Sequence, residues 1–515
     1  TRKAAGEMRA RILEAIAHAA GPAPEGAHRR RSWSLASAVR GRDAALGWSL
    51  AEHPARLRIQ TIDSLCAGLT RCMPWLSRFG APPTIAEPFE PLYREAARAT
   101  LRMVESGSHW SEAIARLLLH LDNDFPRTEA LLVQLLGRRD QWQRHLRRPG
   151  LESEALRVEL EAALGRVVGT HLAALRTHLA GATGADLARL AGYAGGVLAA
   201  QGKTSPVTAC AGMEALPAGT PGEAGRWLGL AELLLTGGGT WRKTLDARIG
   251  VPAGKGAAAL AMRALGKELL EHLAGDEDLR ARLHGVRSLP APRYDDGQWE
   301  VLQALFELLH LALAQLRIVF QARGRVDYLE IDQAAVEALG EEDAPTDLAL
   351  ALDYRIRHLL VDEFQDTSYT HYELLRRLTA GWSPGDGRTL FVVGDPMQSI
   401  YRFREADVAL YLDARVRGIG PVTLEPLQLS ANFRSTAGLV DWVNRAFPSV
   451  FPPAEDAPAG AVTYRPSSAV HGPGPVPAVR VHAFADAGPD AQAQAVVRLI
   501  REARAAEPDG CIAVL

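Results

Sequence analysis

The residues best suited to chemistry stand at 359–367, where three apolar residues run directly into two adjacent carboxylates, Asp362 and Glu363. A buried parallel strand has this pattern when it ends at a site that needs negative charge, because ligands bind at the carboxyl ends of such strands. Nucleoside-triphosphate hydrolysis uses such a pair: the Asp can hold Mg²⁺, and the Glu can orient and deprotonate the attacking water. A helix N-terminus, which favours Asp and Glu through capping and its dipole, is the alternative explanation.

Two later segments repeat the pattern of an apolar run that ends in polar residues. Residues 389–393 predict a second buried strand, which leads into Gly394 and Asp395. Residues 422–429 predict a third strand, which ends at residues 430–435. Helical patterns at 369–378 and 436–447 follow the first and third strands, so this half of the chain predicts an α/β fold.

The chain that positions these segments has 515 residues, which is too long for one core, so two to four domains are expected. From about residue 87 to residue 290, Ala, Leu, Arg and Glu dominate with helical spacing, which predicts an all-helical inserted domain. Within it, residues 202–204 (Gly-Lys-Thr) resemble the last three residues of a phosphate-binding loop. Val197 stands where that loop needs its first Gly, and no apolar strand precedes it, so we exclude this interpretation.

The composition of the chain excludes few classes of protein. The formal net charge is 58 − 60 = −2, which neither supports nor excludes a nucleic-acid partner, because a local basic groove is sufficient. Four scattered cysteines without a C-x-x-C pair fit a reducing compartment and indicate no zinc site or redox motif. We find no apolar run of membrane-spanning length, so no membrane span is expected.

A further junction lies near the start of the chain. Residues 58–66 have the pattern of a short strand, a turn and a helix, with Thr61, Asp63 and Ser64 at the junction. Hydroxyl and backbone N–H groups there can reach a phosphate. Ordinary helix capping explains the same residues equally well.

Three strand-end segments, in this order, resemble the UvrD/Rep-like superfamily 1 DNA helicases, and most closely the helicase chains of AddA/RecB-type helicase-nucleases. Residues 361–367 (Val-Asp-Glu-Phe-Gln-Asp-Thr) resemble motif II of that family, residues 394–404 motif III, and residues 429–435 motif IV. Upstream, residues 1–8 resemble motif Ia and residues 61–64 motif Ib, although Asp63 stands where His is more usual.

The resemblance implies roles at the nucleotide. Asp362 would hold Mg²⁺, Glu363 would be the general base, and Gln398 would contact the γ-phosphate of ATP or the attacking water. Arg434 would stabilise charge on the transferring phosphoryl group, as an arginine finger does. Phe433 would stack on the adenine.

The resemblance also implies contacts with DNA. Tyr401 and Phe403 would stack on single-stranded bases, which needs no sequence preference, although ordinary core packing is the alternative for both rings. Arg404 would brace this segment or touch the DNA backbone. Thr1, Thr61 and Ser64, in the segments that resemble motifs Ia and Ib, are the remaining candidates.

The implied fold is α/β: RecA-like P-loop NTPase motor domains, with parallel sheets flanked by helices and a large all-helical insertion. Residues 1–86 and 291–415 would form the first motor domain, residues 87–290 the insertion, and residues 416–515 the start of the second motor domain. The family's phosphate-binding loop and its motifs V and VI have no counterpart in the 515 residues, so we expect an internal part of a helicase that is inactive alone.

The implied function is ATP-dependent translocation on single-stranded DNA with unwinding of duplex DNA, in recombinational repair of double-strand breaks in the bacterial cytoplasm. A second nuclease or helicase subunit is an expected partner. Two other functions stay open: a non-catalytic DNA-binding scaffold derived from a helicase, and an RNA-directed motor, because base stacking does not distinguish the sugars.

Overall fold

The protein is described by a computed structural model that covers residues 2–72, 83–146, 153–254, 256–400, 407–457, 460–474, 477–484 and 489–514. Its contacts divide the chain into two compact units. One comprises residues Thr1–Glu87 together with Gly324–Leu515, and the other comprises Pro88–Arg323. We call them the discontinuous unit and the helical unit.

Helices build the helical unit. They are α4 (Glu90–Arg102), α5 (His109–His120), α6 (Phe125–Gly137), α7 (Arg139–Leu146), α8 (Ser153–His178), α9 (Ala182–Ala200), α10 (Ala224–Leu234), α11 (Ala257–Leu273), α12 (Glu277–Gly285) and α13 (Asp296–Arg323). The compact unit therefore runs past residue 290, where the predicted insertion ends, and includes α13; the domain limits themselves stay a prediction.

Among the described residues, two apolar clusters help to hold this unit together. The larger contains Trp227, Leu230 and Leu234 of α10 with residues of α8, α9, α11 and α12. The smaller contains residues of α4, α5, α6 and α13, among them Ile114, Leu117 and Leu308. By length and composition alone α13 could cross a membrane, and its buried residues pack in this smaller cluster.

The discontinuous unit mixes short strands with helices. Before the helical unit it contains α1 (Arg2–His18), α2 (Ala27–Leu46), α3 (Ile62–Cys72) and strand β1 (Thr84–Ile85). After that unit come β2 (Arg325–Val326), α14 (Tyr328–Leu339), α15 (Asp347–Arg355), β3 (His358–Val361), α16 (Tyr369–Leu378), β4 (Thr389–Val392), α17 (Val408–Arg417), β5 (Ala431–Asn432), α18 (Ala437–Ala446), β6 (Ser468–Ala469) and α19 (Pro489–Ala506).

The six strands in the described part of the chain form three two-stranded parallel sheets, β1 with β2, β3 with β4, and β5 with β6. In the second sheet His358 is opposite Thr389 and Val361 is opposite Val392, so β3 and β4 end level with each other. Parallel strands and many helices agree with the predicted α/β class.

The strands β3 and β4 are not buried on both faces, contrary to the sequence prediction. Val361 belongs to the buried apolar cluster of this unit, and Leu390 and Val392 pack against it. On the opposite face Leu360 is 74% exposed and Phe391 is 52% exposed. A run of apolar residues cannot distinguish one covered face from two, because the alternation that reports exposure is absent from it.

Two other predicted strands do not form. Residues 58–60 lie in an irregular stretch between a short 3₁₀ helix, Pro54–Leu57, and α3. Of residues 422–429 only Val422 makes a β-bridge, to Ile419, and the regular strand β5 begins later, at Ala431. Pro421 and Pro426 explain the second difference, because proline has no N–H to donate to a β-ladder.

Candidate nucleotide and DNA site

The two carboxylates of the central motif stand where β3 ends. Val361 is buried and anchors the strand, whereas Asp362 and Glu363 are exposed at its carboxyl end. Glu363 has φ of 53°, in the left-handed region that non-glycine residues rarely adopt, and it turns the chain into the 3₁₀ helix Phe364–Asp366. The Phe364 side chain is buried beneath this turn. Its backbone N–H donates to Val393 O at 2.8 Å, which ties the turn to the end of β4.

The end of β4 forms the second side of the site. The Asp395 carboxylate accepts from the backbone N–H of Met397 at 3.0 Å and from the Gln398 side-chain amide at 2.6 Å. These bonds close a tight turn, and the Gln398 side chain on this turn is exposed. A γ-phosphate-bound water is a suitable partner for the oxygen of such an amide.

Gln365 joins the two strand ends, and the sequence pattern gave no indication of it. Its side chain is buried, with 2% exposure. The amide nitrogen donates to Glu363 Oε2 at 2.7 Å, and the amide oxygen accepts from the backbone N–H of Asp395 at 3.0 Å. Glu363, Gln365, Asp395 and Gln398 therefore form one continuous chain of hydrogen bonds.

Gly394 and Tyr411 support this connection. A Cβ at position 394 would lie 2.6 Å from Gln365 Oε1, so only glycine allows β4 to approach the amide this closely. The Tyr411 hydroxyl of α17 donates to Gly394 O at 3.2 Å, and its ring lies 6.2 Å from the Phe364 ring. A glycine directly after an apolar run was the sequence signal for such an approach.

The electrostatics of the site favour a bound cation. Burial raises the pKa of Asp366 above its ordinary value, and the negative charge of Glu363 adds to this, although a hydrogen bond from Ser399 opposes it. Asp362, Glu363 and Asp366 thus concentrate negative charge at one strand end. The exposed Asp362 carboxylate is the kind of oxygen ligand that Mg²⁺ takes, so these residues fit the ion that the resemblance implies.

Phe433 and Arg434 lie in a separate part of the discontinuous unit, directly after β5. The Asn432 side chain accepts from the backbone N–H groups of Arg434 and Ser435, both at 2.9 Å. The Phe433 carbonyl bonds to the His471 ring at 2.7 Å, while the Phe433 side chain is 68% exposed. Within the described residues no hydrogen bond or ion pair links Arg434 to Asp362 or Glu363.

The remaining candidates do not join this site. Thr61 caps α3, with its hydroxyl oxygen accepting from the Ser64 N–H at 3.2 Å and lying 2.8 Å from Ser64 Oγ. These bonds agree with the capping alternative, and a DNA contact from the two residues stays a prediction. Thr1, Tyr401, Phe403 and Arg404 lie outside the described residues.

Comparison with known proteins finds a family match for the region that contains Asp362, Glu363 and Gln398. Residues 290–417 match the UvrD/REP helicase N-terminal domain family. Over 198 residues the chain is 33% identical to an ATP-dependent helicase/nuclease subunit of Exiguobacterium sibiricum, and the match covers 38% of this chain and 16% of that relative. The ATP-dependent helicase/nuclease subunit of the same name from Moorella thermoacetica is 37% identical over 164 residues, or 30% of this chain and 11% of the relative.

A third relative has a different name. The RecBCD enzyme subunit RecB of Mycolicibacterium smegmatis is 36% identical over 129 residues, which is 25% of this chain and 11% of that protein. In each of these three alignments the matched part of the chain spans less than a fifth of the relative's length. Residues 290–417 therefore match the UvrD/REP helicase N-terminal domain family, and the chain is similar to parts of ATP-dependent helicase/nuclease subunits and of RecB.

Proposed function

We propose that this chain carries part of the motor of an ATP-dependent DNA helicase that translocates on single-stranded DNA and acts in recombinational repair of double-strand breaks. One observation carries the proposal: the hydrogen-bonded chain from Glu363 through Gln365 and Asp395 to Gln398. It couples a candidate base to a candidate nucleotide sensor, which a protein that only binds DNA does not need. The names of the relatives support the same activity.

The residues that follow β3 and β4 have separate roles at the nucleotide. Asp362 would hold Mg²⁺, and that ion would neutralise charge on the ATP phosphates. Glu363 accepts the proton of the attacking water through Oε1, since Oε2 already receives the Gln365 amide. Gln398 contacts the γ-phosphate or that water, and its bond to Asp395 transmits the contact to the turn after β4.

Residues outside these two strand ends complete the proposed machinery. Arg434 stabilises the transferring phosphoryl group when the nucleotide cleft closes, and the exposed Phe433 ring stacks on the adenine. Tyr401, Phe403 and Arg404 hold single-stranded DNA, together with Thr1, Thr61 and Ser64. The bound DNA is thereby linked to Gln398 through a few residues of the same segment.

The proposed architecture is that of a helicase motor. Residues 1–86 and 291–415 form a first RecA-like domain, residues 87–290 an insertion and residues 416–515 the start of a second RecA-like domain. The aligned relatives are much longer than the parts that match this chain. The parent acts in the bacterial cytoplasm with a second nuclease or helicase subunit, in agreement with the names of the relatives, which are themselves subunits.

The test is Glu363→Gln in the longer chain that contains these residues. The substitution keeps the side-chain shape and removes the base, so DNA-stimulated ATP hydrolysis should fall by orders of magnitude while ATP affinity changes little. Phosphate release and nucleotide binding by fluorescence anisotropy measure the two quantities. Loss of both together would make Glu363 a structural residue and remove the proposed base.

Two controls separate the alternative functions. A wild-type parent that binds DNA but never releases phosphate is a scaffold rather than a motor. Unwinding assays on DNA and RNA duplexes of identical sequence separate the two nucleic acids, and we expect activity on DNA. Equal or greater activity on RNA would contradict the proposed substrate.

A further inference from the structure

A group of possible metal ligands lies apart from the two strand ends, between three helices of the discontinuous unit. Asp63 of α3, Asp332 of α14 and His371 of α16 bring their ligand atoms within 4.8 Å of one another. His371 Nε2 lies 3.1 Å from Asp332 Oδ2. The Ser368 hydroxyl caps α16 by accepting from the His371 N–H at 3.2 Å, which fixes this residue in the first turn of the helix.

The buried carboxylate of Asp332 gives independent evidence for a ligand. Asp332 is 6% exposed, and its Oδ1 has no hydrogen-bond partner among the described residues. A buried carboxylate oxygen without a partner is costly, and native proteins normally satisfy it with a donor or a cation. The other oxygen of this carboxyl group, Oδ2, faces His371 Nε2, so a cation in the cluster would bind the same carboxyl group.

A fourth possible ligand follows Asp63 on the same helix. Cys66 lies three residues after Asp63, a spacing that places both side chains on one face of α3. Its thiol is fully buried and interacts with both Asp332 and Asp63. The thiol therefore lies beside the two carboxylates, although its sulphur is not among the ligand atoms that lie within 4.8 Å of one another.

We propose that Asp63, Asp332 and His371 bind a divalent transition-metal ion of the zinc type, with Cys66 as the fourth ligand. Nitrogen and sulphur donors beside carboxylates select such ions over Mg²⁺ or Ca²⁺, which prefer oxygen ligands alone. The 3.1 Å between His371 Nε2 and Asp332 Oδ2 is close to the donor separation of about 3.3 Å that tetrahedral zinc bonds of about 2.0–2.1 Å require.

A bound ion would tie α3, α14 and α16 together, and this role does not depend on the proposed helicase activity. The cysteine spacing gave no indication of the site, because only one ligand is a cysteine. The remaining ligands come from three helices that are far apart in the sequence. Metal binding can therefore be measured on the 515-residue chain itself, with or without nucleotide hydrolysis.

The experiment begins with the chain stripped of metal by a chelator and dialysed. Calorimetric titration with Zn²⁺ should give one ion per chain, and thermal melts should show stabilisation by Zn²⁺, because the ion binds only the folded site. With Co²⁺ as a spectroscopic probe, a thiolate-to-metal charge-transfer band reports ligation by Cys66. His371→Gln should lower Zn²⁺ affinity by about 100-fold or more.

Two further variants test whether Zn²⁺ binds at this cluster and not elsewhere on the chain. Cys66→Ser should keep Zn²⁺ binding but remove the charge-transfer band. His178→Gln should change nothing, although His178 also stands near two carboxylates, 2.7 Å from Asp276 and 3.5 Å from Asp278 on the surface of the helical unit. His178 is thus a matched control for adventitious binding by an Asp–His–Asp group.

The proposal is overturned if the wild-type chain binds no Zn²⁺ at micromolar concentration, or if His371→Gln folds and binds Zn²⁺ as the wild type does. The cluster is then an Asp–His–Asp ion pair. Should His371→Gln fail to fold, Asp63→Asn replaces it in the same titration, because Asp63 is less buried than Asp332. A Zn²⁺-dependent rise in melting temperature that persists in Asp63→Asn would also contradict the assignment.

Discussion

Gln365 connects the candidate base to the turn after β4, because one amide group donates to Glu363 and accepts from the Asp395 N–H. Gln365→Met keeps the volume and removes both bonds. It leaves the Asp395 N–H unsatisfied, which should cost about 1–3 kcal/mol of folding free energy. In the longer chain, kcat for DNA-stimulated hydrolysis should fall with little change in KM for ATP, because the base loses its orientation.

The matched control for Gln365→Met is Gln134→Met on α6, where the side chain is exposed. Denaturant melts and steady-state ATP hydrolysis compare the two variants. If Gln365→Met loses stability but keeps wild-type kcat, Gln365 serves the fold alone and does not position Glu363.

A substitution of Phe403 would show whether its ring contacts DNA or packs in the core. It follows Tyr401 by two positions, and in an extended segment this spacing places both rings on the same side. Phe403→Ala should weaken single-stranded DNA binding by about 1–3 kcal/mol, the usual contribution of one base stack. The folding free energy should change by less than the roughly 3–5 kcal/mol of a deleted core aromatic.

The measurement for Phe403→Ala pairs a DNA titration at fixed salt with a denaturant melt, because phosphate contacts make DNA affinity depend on salt. DNA stimulation of hydrolysis should fall in the longer chain, while basal nucleotide binding should persist. A variant that melts far earlier and binds DNA normally when folded would place Phe403 in the core.

At the scale of the elements, the level ends of β3 and β4 create the site, and their spacing depends on Gly394. Gly394→Ala places a methyl group 2.6 Å from Gln365 Oε1 and 3.1 Å from Tyr411 Cε2, so the strand end must move away from the amide. We expect a loss of about 1–3 kcal/mol in stability, the usual cost of overpacking, and a fall in DNA-stimulated hydrolysis.

Gly41→Ala is the control for Gly394→Ala, because Gly41 lies inside α2 and a Cβ there meets no atom within 4 Å. That change should be neutral or slightly stabilising, as alanine is the better helix former. Thermal melts of both variants test the comparison. Wild-type stability and hydrolysis in Gly394→Ala would show that the approach of β4 to Gln365 does not depend on glycine.

At the scale of the whole molecule, the 515 residues contain the strand ends of the candidate nucleotide site and no G-x-x-x-x-G-K-[ST] segment. Such a segment supplies the backbone cradle and the lysine for the β- and γ-phosphates. We therefore expect the purified 515-residue chain to release no phosphate from ATP, with or without DNA. Glu363→Gln in the same chain sets the background, and DNA-stimulated release above that background would contradict the expectation.

The sequence by itself determined the order of the segments and the local elements around them. The helix predicted at residues 369–378 is α16, and the apolar runs at 359–361 and 389–393 correspond to β3 and β4. Asp362 and Glu363 could be proposed as site residues because they follow directly on the first of those runs, whereas Gln398 was proposed through the resemblance of residues 394–404 to motif III. Helices, strands and the residues that end them depend mainly on nearby residues in the chain, and a single sequence shows these directly.

Only the tertiary structure decided which distant residues meet. The Asp395 N–H bonds to Gln365 across 30 positions of sequence, and His371 meets Asp332 across 39. The packing also decided that Leu360 and Phe391 are exposed, although both lie in runs that predict burial. Hydrophobic periodicity describes one element at a time, whereas these contacts depend on how separate strands and helices pack together.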